Sequence, residues 1–116
     1  MKPAVYKILD VRRGDTWGPV TVTLPDLTTL GGPASLNSPV EVVAGLRPNT
    51  DSQVFVPFEV DVTNPSLRTL TISITAANTR NLPSESVWDL EVRDGAGWVK
   101  TLMEGPVLVS PDITRE

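Results

Sequence analysis

The sequence predicts an all-β fold, a two-sheet antiparallel β-sandwich of about seven or eight short strands. Apolar and polar residues alternate over several short segments, and turn residues separate those segments at regular intervals. The chain also contains eleven prolines and eight glycines, a frequency that suits short strands better than long helices. Its 116 residues are enough to bury a core without disulfides, so we expect one domain over residues 1–116 with a polar tail from about residue 111.

The clearest single element is a β-hairpin between residues 86 and 102. Apolar and charged residues alternate along its first strand, with Trp88, Leu90 and Val92 on the face predicted to be buried. Asp94-Gly95 and Gly97 then supply the backbone conformations that a tight turn needs. Residues 98–102 are predicted to return as the second strand.

Further strands are predicted, in chain order, at 4–11, 20–24, 40–46, 54–62, 70–74 and 107–109. Pro57 lies inside the longest alternating run, and because it lacks an N–H, that strand should be an edge strand or carry a bulge. Gly105-Pro106 should break or bulge the chain before the last strand.

Two stretches between the strands are predicted to be irregular or helical. The segment 27–39 contains Gly31-Gly32-Pro33 and is predicted to be a connecting loop. One short helical turn is expected after Thr75, which is suited to cap its N-terminus, and Leu82 should fold back onto the core.

The net charge of the chain and its lack of cysteine and histidine argue against several classes of function. A net charge of −4, with ten basic residues scattered among fourteen acidic ones, gives no concentrated basic face for nucleic acid. The chain has neither cysteine nor histidine, which removes thiol and Ser-His-Asp catalysis and nearly every zinc site. We therefore expect a protein that is not an enzyme and needs no cofactor and no metal. No apolar run approaches the roughly 18 residues of a membrane span, and no signal peptide is apparent, so no membrane partner is expected.

Two acidic pairs and one tripeptide are candidate sites that are better explained by structure. Glu59 with Asp61, and Asp89 with Glu91, lie two residues apart on predicted strands, where carboxylates can bind calcium or act as acid and base. Outward-facing carboxylates are also the ordinary wet face of a half-buried sheet, and this interpretation is favoured. Arg13-Gly14-Asp15 spells an integrin-binding tripeptide, but a turn with charged flanks is favoured because three-residue matches arise by chance.

Two tryptophans at turns are candidates for exposed aromatic anchors. Trp88 falls on the inward face of its strand, whereas Trp17 and Trp98 lie where the chain turns. A tryptophan in such a position can anchor a protein interface or stack on a sugar, and protein contact is favoured. The candidate protein interface therefore consists of Trp17 and Trp98, with Arg12 and Arg13 as charges at its rim.

Motifs at both ends of the chain resemble a known group of proteins. Arg13-Gly14-Asp15-Thr16-Trp17 precedes an alternating Val-Thr strand. Later come Leu82-Pro83, Trp88-Asp89-Leu90-Glu91-Val92, Asp94-Gly95, Val99-Lys100-Thr101-Leu102, Gly105, and Val109 through Pro111-Asp112-Ile113-Thr114-Arg115. In this order they resemble small tail-associated proteins of tailed bacteriophages and prophages. They also resemble the N-terminal immunoglobulin-like domain of phage upper baseplate proteins. Residues 27–65 carry little of the resemblance, and Ser84-Glu85-Ser86-Val87-Trp88 stands where a Gly and a Tyr are usual.

The resemblance implies an immunoglobulin-like sandwich and a non-enzymatic structural protein of the virion. Such a protein would be an adaptor, baseplate or neck component that is assembled in the bacterial host cytoplasm. It would be present in several symmetric copies, docked onto other phage structural proteins of the tail, baseplate, neck or capsid. Two alternatives remain open: a capsid decoration (cement) protein, and a carbohydrate-binding module for host-surface glycan.

Overall fold

The computed structural model describes residues 4–37, 39–49, 55–80 and 82–110. Within them nine strands follow one another: β1 (Ala4–Val5), β2 (Ile8–Arg12), β3 (Trp17–Thr23), β4 (Glu41–Arg47), β5 (Val56–Pro57), β6 (Glu59–Asn64), β7 (Thr69–Ile74), β8 (Glu85–Arg93) and β9 (Val99–Ser110). The helical elements of these residues are a 3-10 turn at Leu27–Leu30 and the single-turn helix α1 at Ala76–Thr79. No helix in this part of the chain is long and apolar enough to span a bilayer.

The strands form two sheets that face each other across one core. The larger sheet has the order β1-β9-β8-β4-β5, with β2 also paired to β9, and the smaller has the order β3-β7-β6. This arrangement groups β4, β8 and β9 as strands C, F and G of an immunoglobulin-like sandwich, and β3, β7 and β6 as B, E and D. The predicted all-β sandwich is confirmed. One difference from a purely antiparallel fold is that β1 and β2 pair with β9 in parallel.

The core is built from the inward residues that the alternation predicts. On β7 these are Leu70, Ile72 and Ile74, and on β8 they are Trp88, Leu90 and Val92, all of them buried. Residues Val20 and Val22 of β3 are half-buried and pack against the same cluster. Each sheet thus contributes one apolar face, as period-two alternation requires.

Trp88 lies at the centre of an aromatic cluster. Its ring stacks on Phe58, with centroids 5.8 Å apart and planes inclined by 18°, and it meets Tyr6 edge to face at 6.2 Å. Its Nε1–H donates to the backbone oxygen of Tyr6 at 2.8 Å. This buried polar atom is therefore paired, as burial demands.

The run predicted as one strand over 54–62 divides at Pro57. Val56–Pro57 forms β5 at the edge of the larger sheet, and Glu59–Asn64 forms β6 at the edge of the smaller one. The chain crosses between the sheets at Phe58, whose ring is buried and whose N–H donates to the Ala44 oxygen at 2.9 Å. The edge position of Pro57 is confirmed, whereas the single strand is wrong, because Pro57 cannot extend the ladder and Phe58 turns into the core. Val54 lies outside the described residues.

Strand β9 continues through the predicted break at Gly105-Pro106. It is one strand of 12 residues, with an irregularity in register opposite Leu90 and Glu91. The neighbouring strand is interrupted at Tyr6 and Lys7, between the residues that pair with Glu104 and Val107. Pro106 offers no N–H to that side, and a Cβ at residue 105 would collide with the Tyr6 backbone oxygen. Gly105 and Pro106 therefore fit opposite the interruption at Tyr6 and Lys7, where no regular strand pairing is needed.

Side chains accept backbone N–H groups in the β8–β9 turn and at the start of α1. In the β8–β9 turn, the Asp94 carboxylate accepts the N–H groups of Ala96 at 2.7 Å and Trp98 at 3.0 Å, as a predicted Asp-Gly turn requires. Thr75 caps α1 by accepting the Asn78 N–H at 3.2 Å.

The stretch 27–39 differs from the predicted loop because it contains a 3-10 turn. Asp26 caps this turn by accepting the hydroxyl and N–H of Thr28, and both bonds lower the pKa of the Asp26 carboxyl. Leu27, the first residue of the turn, is buried in the core.

Replacing Trp88 with alanine should destabilise the domain strongly. The variant leaves a cavity and an unpaired Tyr6 carbonyl, so we expect a loss of about 3–5 kcal/mol in the free energy of unfolding. Trp88→Phe keeps a stacking ring but removes the N–H donor, and should cost about 1–2 kcal/mol. Urea denaturation followed by circular dichroism measures both. Equal losses in the two variants would contradict the central role of the ring cluster.

Candidate docking surface

The outer faces of the two sheets differ in chemistry. Cross-strand register places polar residues on the outer face of the smaller sheet, namely Thr21, Thr23, Glu59, Asp61, Thr69, Thr71 and Ser73. The outer face of the larger sheet mixes apolar residues, namely Val5, Val43, Val87, Val99, Pro106 and Leu108, with charged ones, namely Glu41, Arg47, Glu85, Asp89, Glu91, Arg93 and Glu104. Val5 is 71% exposed, Val99 52% and Leu108 47%. The two outer faces therefore differ in that the larger sheet exposes apolar side chains among its charges, whereas the paired outward positions of the smaller sheet are polar.

A groove of about 350 Å³ opens on this outer face of the larger sheet. Its lining combines the apolar residues Val5, Val87 and Pro106 with the charged residues Arg47, Asp89 and Glu104. Gly105 and Trp88 complete the lining. The groove lies where β1, β4, β8 and β9 adjoin, so its walls come from four strands of one rigid sheet.

Charge in the groove is partly paired. Arg47 Nη1 lies 3.5 Å from Asp89 Oδ2, and both side chains are about one-third exposed. Burial raises the pKa of the Asp89 carboxyl; Arg47 opposes this shift, while Glu91 and Glu104 add to it. The net upward direction means that burial and like charge together outweigh the single guanidinium.

Arg47 also has an aromatic partner at the rim of the groove. Its guanidinium carbon lies 4.8 Å from the ring centroid of Phe55, in cation–π geometry. The Phe55 ring occupies the place that a Cβ of residue 45 would take, so Gly45 is needed to let the ring lie flat on β4. Phe55 remains 36% exposed and extends the apolar surface toward β5.

The arrangement offers apolar and charged side chains side by side, a combination that protein interfaces use. The described residues contain no group of three side chains able to hold a metal ion. Glu59 and Asp61 are exposed on the edge strand β6.

The predicted anchors Trp17 and Trp98 are both half-buried and packed against the core. Trp17 is tilted against Phe58 with ring centroids 6.1 Å apart. Trp98 donates its Nε1–H to the Leu30 oxygen at 3.1 Å, and its ring would meet a Cβ on Gly32 at 2.6 Å. Trp17 begins β3 and Trp98 contacts the 3-10 turn that follows β3, so the structure does not bring them together. Their role as interface anchors stays a prediction.

The predicted rim arginines lie in a turn that is bonded to the rest of the domain. Arg13 donates from Nε to the Leu82 oxygen at 2.6 Å, while Arg12 is exposed at the end of β2. Gly14 donates its N–H to the buried Thr79 hydroxyl at 3.0 Å, and that hydroxyl lies 2.8 Å from the Asp15 oxygen. The Arg13-Gly14-Asp15 sequence therefore has a structural role as a braced turn.

Sequence reasoning missed the outer-face residues although part of the signal is in the sequence. Val87 and Leu108 occupy outward positions next to inward apolar residues, and an apolar residue out of phase with its strand is that signal. Phe55 carries the same signal, because it lies between Val54 and Val56 and is out of phase with that alternating run. Val5 carries no such signal, because its position depends on which strands become neighbours.

Comparisons with known proteins assign no family. No protein-family model matches the chain, and no curated protein matches it. Among solved structures, an internalin-like protein of Listeria monocytogenes matches with a TM-score of 0.46 and 13% identity, over 95% of this chain and 28% of that one. The chain thus spans less than a third of that protein's length, and a similarity this low carries no functional argument.

Neutralising Asp89 should stabilise the protein near neutral pH. Its pKa is raised in the folded state, so the ionised carboxylate opposes folding at any pH above that folded-state value. Asp89→Asn should therefore increase the free energy of unfolding at about pH 7, and the gain should vanish near pH 3, below the ordinary value for an aspartate. Urea denaturation at both pH values measures it.

An Arg47→Gln background provides the control for this prediction. Removal of the guanidinium leaves the carboxylate with burial and the neighbouring acids alone, so Asp89→Asn should stabilise that background more than the wild type. A loss of stability on Asp89→Asn at about pH 7 would mean that the pairing with Arg47 dominates, contrary to the expectation.

Proposed function

We propose that this chain is a non-enzymatic docking domain of a tailed-phage virion, an adaptor, baseplate or neck component. It binds another virion protein through the outer face of the larger sheet. The observation that supports the docking role is the contrast between the two outer faces: that of the smaller sheet is polar, whereas that of the larger sheet combines exposed valine and leucine with charged residues around a groove. Protein interfaces use apolar and charged side chains together in this way.

The chemistry of the outer face indicates the kind of partner. Val5, Val87 and Leu108 offer apolar side chains, and Asp89 and Glu104 offer negative charge beside them. A partner surface with apolar side chains and a lysine or arginine would bury the first group and compensate the second. Arg47, already paired with Asp89 and stacked on Phe55, holds the rim in place.

The virion assignment is supported by the motifs at the two ends of the sequence. The Arg13–Trp17 opening and the Val109–Arg115 close resemble tail-associated phage proteins, in the order in which those proteins carry them. Absence of histidine and cysteine agrees with a structural role but does not itself assign one.

A charge at Leu108 should weaken docking. Leu108→Glu leaves the buried face of β9 unchanged, and we expect its incorporation into purified particles to fall at least about tenfold. The measurement is complementation of a phage that lacks the gene, with the protein quantified in the particles by mass spectrometry. Leu67→Glu is the matched control, since Leu67 is 60% exposed in the β6–β7 turn, away from this face. Equal incorporation of both variants would overturn the assignment of the surface.

The copy number in the same particles tests the location. Scaled to the major capsid protein, about three to twelve copies agree with a ring at the neck, tail tip or baseplate. Hundreds of copies would favour capsid decoration instead. Saturable sugar binding that is lost in Trp17→Ala or Trp98→Ala, with incorporation intact, would favour the glycan module. Absence from the particle would overturn the virion proposal.

A further inference from the structure

The edges of both sheets differ in how well they are protected against pairing with another chain. An edge strand exposes N–H and C=O groups that can accept a further strand, and proteins usually block this. Among the described residues, three of the four edges are blocked. Edge strand β5 is two residues long and contains Pro57, β6 carries Glu59 and Asp61, and the first strand is interrupted between β1 and β2.

The fourth edge, β3, is open over Val20–Thr23. Within the described residues β3 pairs with β7 alone. Its first part is blocked, since Pro19 has no N–H and the register shifts between Trp17 and Val20. The remainder consists of four β-branched residues without a charge, a composition that favours strand pairing.

The hydrogen-bond phase of β3 identifies which backbone groups are available. Leu24 donates its N–H to the Arg68 oxygen at 2.9 Å, so this pair belongs to the hydrogen-bonded set. Hydrogen-bonded and non-hydrogen-bonded pairs alternate along an antiparallel ladder. Thr23 and Thr21 therefore direct their N–H and C=O groups away from β7, toward the open edge. The close approach of the Thr23 and Thr69 hydroxyl oxygens, 3.1 Å, agrees with this phase.

An apolar cleft lies directly beside this edge. It holds about 170 Å³ between the two sheets and is lined by Tyr6, Val20, Val22, Ile72, Trp88 and Met103, with Thr21 at its margin. A strand laid along β3 would direct every second side chain to the inner side of the sheet. The cleft is where such a side chain would enter.

We propose that an extended segment of another protein chain adds to the smaller sheet along Val20–Thr23. Its backbone pairs with Thr21 and Thr23, and one of its apolar side chains fills the cleft. The segment is uncharged over about four residues and alternates apolar with small polar side chains, because a charge would be desolvated against β3. This interaction does not depend on the outer face of the larger sheet.

A second copy of the chain fits this edge less well than an extended segment does. In a symmetric β3–β3 contact, Val20 and Val22 of each copy already face their own core, so neither copy fills the cleft of the other. A flexible segment can reach both the edge and the cleft.

Amide hydrogen exchange of the free protein gives the first test. By NMR, the Val20 and Val22 amides should be protected by β7, while the Thr21 and Thr23 amides should exchange with solvent. Protection of Thr21 and Thr23 in the free monomer would mean that the edge is already covered, which would overturn the proposal.

The second test uses a defined peptide. The probe is the β7 sequence, Thr-Leu-Thr-Ile-Ser-Ile, flanked by lysines for solubility, because β7 already pairs with β3 from its other side. Binding should be saturable and should protect the Thr21 and Thr23 amides. Two control peptides carry N-methyl groups on alternate amides, one set in each phase. The phase that faces β3 should weaken binding at least about tenfold, and the other should not.

Three outcomes would overturn the proposal. They are an absence of binding up to about 1 mM peptide, equal loss with both methylation phases, and amide shifts centred on Val87 and Leu108 rather than on β3. Concentration-dependent dimers that protect Thr21 and Thr23 would assign the edge to a second copy and overturn it as well. Because particle incorporation is not measured in this test, its failure is separate from failure of the virion proposal.

Discussion

The indole of Trp88 joins three parts of the chain that are remote in sequence. Through its hydrogen bond to the Tyr6 carbonyl it fixes the first strand beside β9, and through its stack on Phe58 it fixes the crossing between the sheets. Trp17 extends the same cluster by packing on Phe58. The larger sheet thus acquires both its outermost strands, β1 and β5, from contacts that converge on one ring. Without that ring, β1, one of the four strands that line the groove on the outer face, would lose a hydrogen bond that holds it.

The two surfaces with binding potential arise from one packing arrangement. Because the first strand of the domain pairs with β9 in the larger sheet, the smaller sheet lacks a partner for β3 among the described residues. The same pairing with β9 brings Val5 next to Pro106 and Val87, and these three residues form the apolar part of the lining of the outer groove. The pairing of the first strand with β9 therefore has two consequences. It adds Val5 to the outer face of the larger sheet, and it leaves backbone N–H and C=O groups of β3 without a neighbouring strand among the described residues.

Local sequence signals predict individual strands and hairpins, but they do not predict which sheet each strand joins. Alternation identifies β7 and β8 and their buried residues, and Asp94-Gly95 identifies the hairpin. Alternation does not reveal that the chain changes sheets at Phe58, because the period of two continues unbroken through the crossing. Similarly, Gly105-Pro106 is a local break signal whose actual role depends on a gap in a strand about 100 residues earlier in the chain.

The candidate site is less predictable for the same reason. Trp17 and Trp98 can be located at turns, but their partners Phe58 and Leu30 are tertiary contacts that no local pattern specifies.

Parallel pairing of β2 with β9 also determines how the domain carries mechanical load. Ala4 pairs with Met103 and Arg12 pairs with Ser110, so the backbone enters and leaves this ladder at opposite ends. Tension between residues 4 and 110 acts along the strands and across their hydrogen bonds, on both sides of the interruption at residues 6 and 7. Several bonds are therefore loaded at once, and this geometry resists pulling better than a hairpin opened from its ends.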